Sequence, residues 1–264
     1  NKIPVAEFNL VKSEKDIIKF CENFNFPVVI KTATEGYDGK GQKIIKNVNE
    51  IPSSYREISK KNKEIIIEKF INFDKEVSVI CSRDTSGEIT SFPISENIHV
   101  NHILDKSIVP ARISKALENK INNLAEIIVN QLELVGLICI EMFVLGEEIF
   151  INEIAPRPHN SGHYTLDACD TSQFDQVVKI LLGFNTCKPK LLSPAVMFNL
   201  LGDIWFDNLN PNWNKALMTP GSKLYLYGKH EPRIGRKMGH INILNNSLDD
   251  AIKLSESCKS MLYD

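Results

Sequence analysis

Glu141 and Glu153 stand twelve positions apart on the two arms of a predicted β-hairpin, residues 137–143 and 148–154, joined through Leu145, Gly146 and Glu147. A three-residue loop or a bulge sets them directly opposite on one face, with Cβ atoms about 5 Å apart. Carboxylates so placed repel unless a cation intervenes, and hard oxygen ligands with phosphate nearby favour Mg²⁺. Spacing alone leaves a second reading open, in which one of the pair is a solvated edge carboxylate. The flanking Ile138, Ile140, Met142, Ile149 and Ile151 argue for a strand pair with a buried face.

Glu35, Gly36, Tyr37, Asp38, Gly39, Lys40, Gly41 and Gln42 form a glycine-rich loop near Lys31. Flexible backbone with ammonium groups close by is the combination that holds polyphosphate. The glycines alone fit a plain surface hairpin loop equally well. The loop joins two predicted strands, not a strand and a helix, which excludes a simple Rossmann or Walker loop. After the hairpin, Pro156 and Pro158 enforce an extended segment bearing Arg157, His159, Asn160 and His163. These groups suit a substrate phosphate or closure on a nucleotide. The four-residue step between the histidines would suit zinc on a helix, but Pro158 and Gly162 argue against a helix there. Lys229, Arg233, Arg236 and Lys237 crowd into nine residues, in isolation a solvated basic face. Glu96, His99 and His102 follow Pro93 in an alternating stretch and in isolation read as polar strand positions.

The elements that must position these groups read as α+β. Ser13 and Asp16 open a helix ending near Asn25, and strands follow at 28–31 and 43–45. Residues 65–70, 76–81 and 88–92 are β-rich, with a turn at 84–87. Apolar residues at helical steps predict a long helix over 114–134, and Asp170 is expected to cap another over 171–182. Shorter elements follow: strands near 196–200, 223–227 and 239–244, and a terminal helix capped by Ser247. A small β-rich C-terminal domain over 194–264 is therefore expected after a larger one over 1–193, itself divided into lobes at 1–72 and 73–193.

With 264 residues, 43% hydrophobic and 24% charged, the chain can bury one large core or two smaller ones. A net charge of -2 supplies no global field toward nucleic acid or membrane. Six cysteines without CxxC spacing, several in apolar runs, suit reduced thiols and a cytoplasmic setting. No apolar stretch reaches the roughly 18 residues of a membrane helix.

In order, the loop TATEGYDGKGQ, the segments EKFINFDKEVSV and FPISENIHVNHILDKSIVPARIS, the hairpin IEMFVLGEEIFINEIAPRPHNSGH and the tail GRKMGH resemble the 5-(carboxyamino)imidazole ribonucleotide synthase family nearly end to end. The resemblance implies an ATP-grasp fold, two α+β lobes clamping ATP. It implies that ATP meets Lys31, Gly36, Gly39, Lys40, Gly41, Gln42, Glu68, Lys69, Ile71, Glu76, His99 and Asn152, and that Glu141 and Glu153 hold Mg²⁺. Tyr37, Asp38 and Lys40 would face aminoimidazole ribonucleotide, and His159, Asn160, Lys229 and Arg236 its phosphate. Asp38 and Lys40 would be the catalytic pair, Asp38 accepting the amine proton. The implied reaction carboxylates that amine with ATP and bicarbonate, in a homodimer. Family members carry a further βαβ domain, on the order of 90 residues, ahead of the segment matching Ile3, Pro4 and Val5. A formate-dependent glycinamide ribonucleotide transformylase, or a non-catalytic nucleotide-binding fragment, is the rival expectation. Ala155 stands where wider ATP-grasp enzymes usually have asparagine, which narrows the branch.

Overall fold

The computed structural model describes residues 2–34, 41–60, 64–206 and 211–262. Strands β1 (Phe8–Val11), β2 (Val28–Thr32), β3 (Gln42–Ile45) and β4 (Ile65–Lys69) form a four-stranded antiparallel sheet in the order β1-β4-β2-β3. Helices α1 (Glu14–Phe24) and α2 (Ile51–Ser59) pack on it. A capping box between Ser13 and Asp16 starts α1. Ile17 and Phe20 of α1 and Ile51 and Ile58 of α2 meet Val28, Ile30 and Ile67 in one apolar cluster.

The second sheet has nine strands: β5 (Lys75–Arg83), β6 (Ile89–Ser91), β7 (Ser95–Val100), β8 (Ile103–Val109), β9 (Gly136–Leu145), β10 (Glu148–Ala155), β11 (Ala195–Leu201), β12 (Ser222–Leu226) and β13 (Lys237–Leu244). Their order is β10-β9-β5-β7-β8-β11-β13-β12, with β6 paired to β5. Helix α3 (Lys115–Gln131) starts where the Ser114 hydroxyl accepts the Leu117 N–H. Its Leu117, Ile121, Ala125 and Ile128, at steps of four, four and three, pack on Val77, Val79, Ile138 and Ile140. Truncating the wholly buried Ile121 to alanine should cost about 2–5 kcal/mol, since its neighbours cannot collapse into the gap.

Helices α4 (Thr165–Ala168) and α5 (Gln173–Leu181) follow β10. The cap of α5 is Ser172, whose side chain and that of Asp175 complete a capping box; Asp170, expected in that role, instead accepts the Lys190 N–H. A short 3₁₀ turn at Asn160–Gly162 lies in the segment read as extended, made possible because the His159 side chain accepts the Ser161 N–H. Helices α6 (Trp213–Ala216) and α7 (Leu248–Met261) complete the chain, with Ser247 capping α7.

Position 194 marks no gap in the sheet. Strand β11 pairs β8 on one side, Val196 opposite Ile108, and β13 on the other, Val196 opposite Ile243. Among the described residues, no helix is long and apolar enough to cross a membrane.

Candidate functional site

Strand β5 fixes the site because it runs between β9 and β7. Successive side chains of a strand alternate between faces, so Glu76 and Ser78 share one, along with the residues opposite them. Ser78 faces Glu141 on β9 and Ser95 on β7, while Glu76 faces Phe143 and Asn97. Ser107 on β8 lies opposite Asn97. One polar row therefore runs from Glu141 through Ser78 to Ser95, and a second from Glu76 through Asn97 to Ser107.

The hairpin adds the second carboxylate through a bulge. Leu145 pairs with Glu148, so the turn has two residues and a regular ladder would place Asn152 opposite Glu141. The register shifts between Ile151 and Glu153, and Glu153 becomes the partner of Glu141. Asn152 is the extra residue, beside Glu153 and facing the same partner.

Burial pushes the Glu141 carboxyl up to about 7; His99 pulls it down, and the carboxylates of Glu153 and Glu76 push it further up. The pair fits a divalent cation: two opposed carboxylates, one of them destabilised as an anion by burial and by its acidic neighbours. Among the described residues, no group of three or more His, Cys, Asp or Glu side chains gathers for a metal. Two carboxylates suffice for Mg²⁺, which keeps waters and takes substrate phosphate oxygens as its other ligands.

Around this pair, Glu76 and His99 are hydrogen-bonded carboxylate to Nδ1. Burial opposes charge on His99, but the Glu76 carboxylate outweighs it and the imidazole is held above its ordinary range. His159 lies with Nε2 3.9 Å from Glu141, too far for a hydrogen bond. Burial, then Arg157 and Lys237, drive His159 down to about 3, so it is neutral near pH 7. Lys31 is 2.6 Å from Glu68, and Gln42 lies opposite Lys31 on β3. The Gly41 carbonyl accepts the Thr32 N–H. Lys69 ends β4, exposed, and Ile71 is buried just beyond it. Gly36, Tyr37, Asp38, Gly39 and Lys40 lie outside the described residues.

The far side of the site is built on β8, β11 and β13. Asn160 and Asn199 exchange two amide hydrogen bonds, at 2.9 and 2.7 Å, and Asn199 donates to the Leu104 carbonyl. Lys229 and Arg236 reach backbone carbonyls, of Lys237 and Glu231. Burial and the neighbouring Arg236 and Lys237 pull the Lys229 ammonium below its ordinary value. His163 stacks on His240 with centroids 4.7 Å apart, and His240 stacks on Tyr225 at 4.6 Å.

Comparison with known proteins shows where this arrangement belongs. Residues 1–174 match the ATP-grasp domain, and residues 195–254 the phosphoribosylaminoimidazole carboxylase C-terminal domain. The N5-carboxyaminoimidazole ribonucleotide synthase of Bacillus subtilis is 42% identical over 94% of the chain. A crystal structure of the Staphylococcus aureus enzyme of that function, complexed with ADP, superposes with a TM-score of 0.87 at 39% identity, over 97% of this chain and 67% of that one. The chain belongs to the N5-carboxyaminoimidazole ribonucleotide synthase branch of the ATP-grasp family. A more distant synthase of this branch, from Aspergillus clavatus in complex with ADP and 5-aminoimidazole ribonucleotide, has a TM-score of 0.89 at 27% identity, over 99% of this chain and 70% of that one. The chain spans 64% of the length of the Bacillus subtilis synthase.

Several residues around the site of this family member escaped the sequence reading. Ser78, Asn97, Ser107 and Ser161 are buried polar residues. Lys237 acts electrostatically on His99, Glu141, His159 and His163, although by sequence it is one of a basic cluster. Gln173, wholly buried, holds both the N–H and the carbonyl of His159.

Proposed function

We propose that the chain carries out the ATP- and bicarbonate-dependent carboxylation of 5-aminoimidazole ribonucleotide to N5-carboxyaminoimidazole ribonucleotide, with release of ADP and phosphate, in purine biosynthesis. The observation that carries this is the opposed Glu141 and Glu153 in a chain 42% identical to a synthase of that name. In this reading Lys31, Gly36, Gly39, Lys40, Gly41 and Gln42 hold the ATP phosphates. Glu68, Lys69 and Ile71 meet the adenine edge, and Glu76, His99 and Asn152 complete the nucleotide site. Glu141 and Glu153 would hold Mg²⁺, which would neutralise charge on the transferring phosphoryl group.

A bicarbonate oxygen attacks the γ-phosphorus, the bond to the β-phosphate oxygen breaks, and ADP leaves. The carboxyphosphate formed releases CO₂ and phosphate beside the exocyclic amine. That nitrogen bonds to the CO₂ carbon and gives its proton to Asp38. Lys31 and Lys40 offset the charge on the transferring phosphoryl, and a closed site keeps water from the labile acyl phosphate. Tyr37, Asp38 and Lys40 face the imidazole, while His159, Asn160, Lys229 and Arg236 take the substrate phosphate. The same reading divides the chain into an ATP-grasp region over 1–193 and a C-terminal region over 194–264, and places a homodimer in the cytoplasm.

The test is product analysis with ¹⁴C-bicarbonate against ¹⁴C-formate, in protein that includes the leading domain found in the family. Label from bicarbonate in the ribonucleotide product, dependent on ATP, is expected. Label from formate alone would overturn the assignment in favour of a transformylase, and no ATP hydrolysis on adding aminoimidazole ribonucleotide would leave a nucleotide-binding protein without catalysis.

A further inference from the structure

A line of buried hydrogen bonds runs under the site and ends on His159. The His159 Nδ1 receives the backbone N–H of Ser161 at 3.3 Å. A backbone N–H can only donate, so Nδ1 carries a lone pair, and the single proton of the neutral ring sits on Nε2. The Ser161 hydroxyl, 2.8 Å from the same Nδ1, donates to it as well. Its oxygen then accepts from Ser78 at 2.7 Å. The Ser78 oxygen in turn accepts the Asn97 amide N–H at 2.9 Å, and the Asn97 carbonyl oxygen accepts the Ser107 hydroxyl at 2.8 Å. Ser95, 2.8 Å from Ser78, has acceptors of its own in the Asn97 side chain and the Ser78 carbonyl. The four serines and Asn97 are buried, so water does not compete for their protons. Every donor points the same way, an order in which each bond polarises the next.

We propose that Ser161, backed by Ser78, Asn97 and Ser107, is a positioning residue that fixes His159 as its Nε2–H tautomer, so that the ring offers one neutral donor to an anionic oxygen in the site. The Gln173 side chain, bonded to both backbone groups of His159, holds the ring's base in place. The tautomer stands on the hydrogen bonds alone; that the anionic oxygen belongs to the phosphate of the ribonucleotide rests on the function proposed above.

The two parts are tested separately. A long-range ¹H–¹⁵N spectrum of the chain labelled at histidine nitrogens, with the His159 signals assigned by their loss in His159→Gln, should show the proton on Nε2. In Ser161→Ala only the longer backbone bond to Nδ1 remains, so a mixture of both tautomers is expected, with a smaller change in the same direction for Ser78→Ala. A proton on Nδ1 in the unaltered chain overturns the proposal, as do unchanged populations in either folded variant. If Ser161→Ala fails to fold, the unaltered chain and Ser78→Ala decide. In the carboxylation assay, Ser161→Ala should raise KM for aminoimidazole ribonucleotide about fivefold, the worth of one hydrogen bond, with little change in kcat. A protein with the expected tautomer but no carboxylation activity would count against the proposed function and leave the positioning role standing.

Discussion

The Lys31 ammonium lies 2.6 Å from the Glu68 carboxylate, across neighbouring strands β2 and β4. One ion pair thus ties a group assigned to the ATP phosphates to one assigned to the adenine edge. Both side chains are only about a quarter exposed, at 28% and 26%, so the pair is partly shielded from water. Lys31→Met should weaken ADP binding by about tenfold or more, the loss of one charge-assisted contact to phosphate. Calorimetric titration checks this, and unchanged affinity would remove Lys31 from the nucleotide site.

Glu153→Gln keeps the bulge and the hydrogen-bonding shape of the side chain but removes one of the two opposed charges. The expected outcome is that Mg²⁺ no longer enhances ADP binding, a loss of roughly tenfold or greater. ADP titrations with and without Mg²⁺ measure it. An enhancement equal to that of the parent would refute the cation cradle.

Acid should destabilise the fold through its stacked histidines. Burial, then Lys237, holds His163 down to about 4, and burial, then His163, holds His240 down to about 3. Folded pKa values below the unfolded 6.5 mean that the unfolded chain takes up protons first. Their stabilisation is therefore complete above pH 6.5 and is lost as pH falls toward the folded values. Each should forfeit about 2 kcal/mol by pH 5. Glu141 has the opposite sign: raised to about 7, its contribution is complete below about 4.5 and is lost as pH rises through 7. His99, held above its ordinary range by Glu76, shares that sign, and the three lowered histidines, His159 among them, outnumber the two. The melting temperature should drop between pH 7 and pH 5, with a flatter slope in His240→Gln; a parallel slope in that variant would contradict the account.

Gly202→Ala tests how the basic loop is seated. A Cβ there would lie 2.2 Å from the Arg233 carbonyl oxygen and 2.5 Å from its nitrogen, backbone atoms that cannot rotate aside. The Gly202 N–H also donates to the Arg236 carbonyl at 2.8 Å. Displacing this loop moves Arg236, so KM for the ribonucleotide should rise about tenfold, on the scale of one charge-assisted contact. KM for ATP should hold. Equal losses for both substrates would point to general unfolding instead.

The hairpin was readable in the sequence because β-branched and apolar flanks announce strands and because twelve-residue spacing admits few registers. What spacing left open was whether a longer loop or a bulge reconciles it, and the two-residue turn at Gly146 and Glu147 decides for the bulge. Helix α2 is not legible in the sequence although Ile51, Tyr55 and Ile58 lie at helical steps around Pro52, since proline and serines imitate a loop. Strand β1 carries three exposed residues of four and so shows no buried alternation. The buried line from Ser107 to His159 was hidden for a deeper reason. Serine and asparagine read as surface residues until their partners are known, and those partners lie up to 83 positions away, as between Ser78 and Ser161.

The unbroken run from β8 through β11 to β13 has a consequence for dissecting the chain. A protein cut at the family boundary near 194 would keep β8 but bare its hydrogen-bonding rim, including Ile108 and Val109, both buried in the intact chain. Open rims of that kind recruit other strands, so the shortened protein should clump where the longer one stays dispersed.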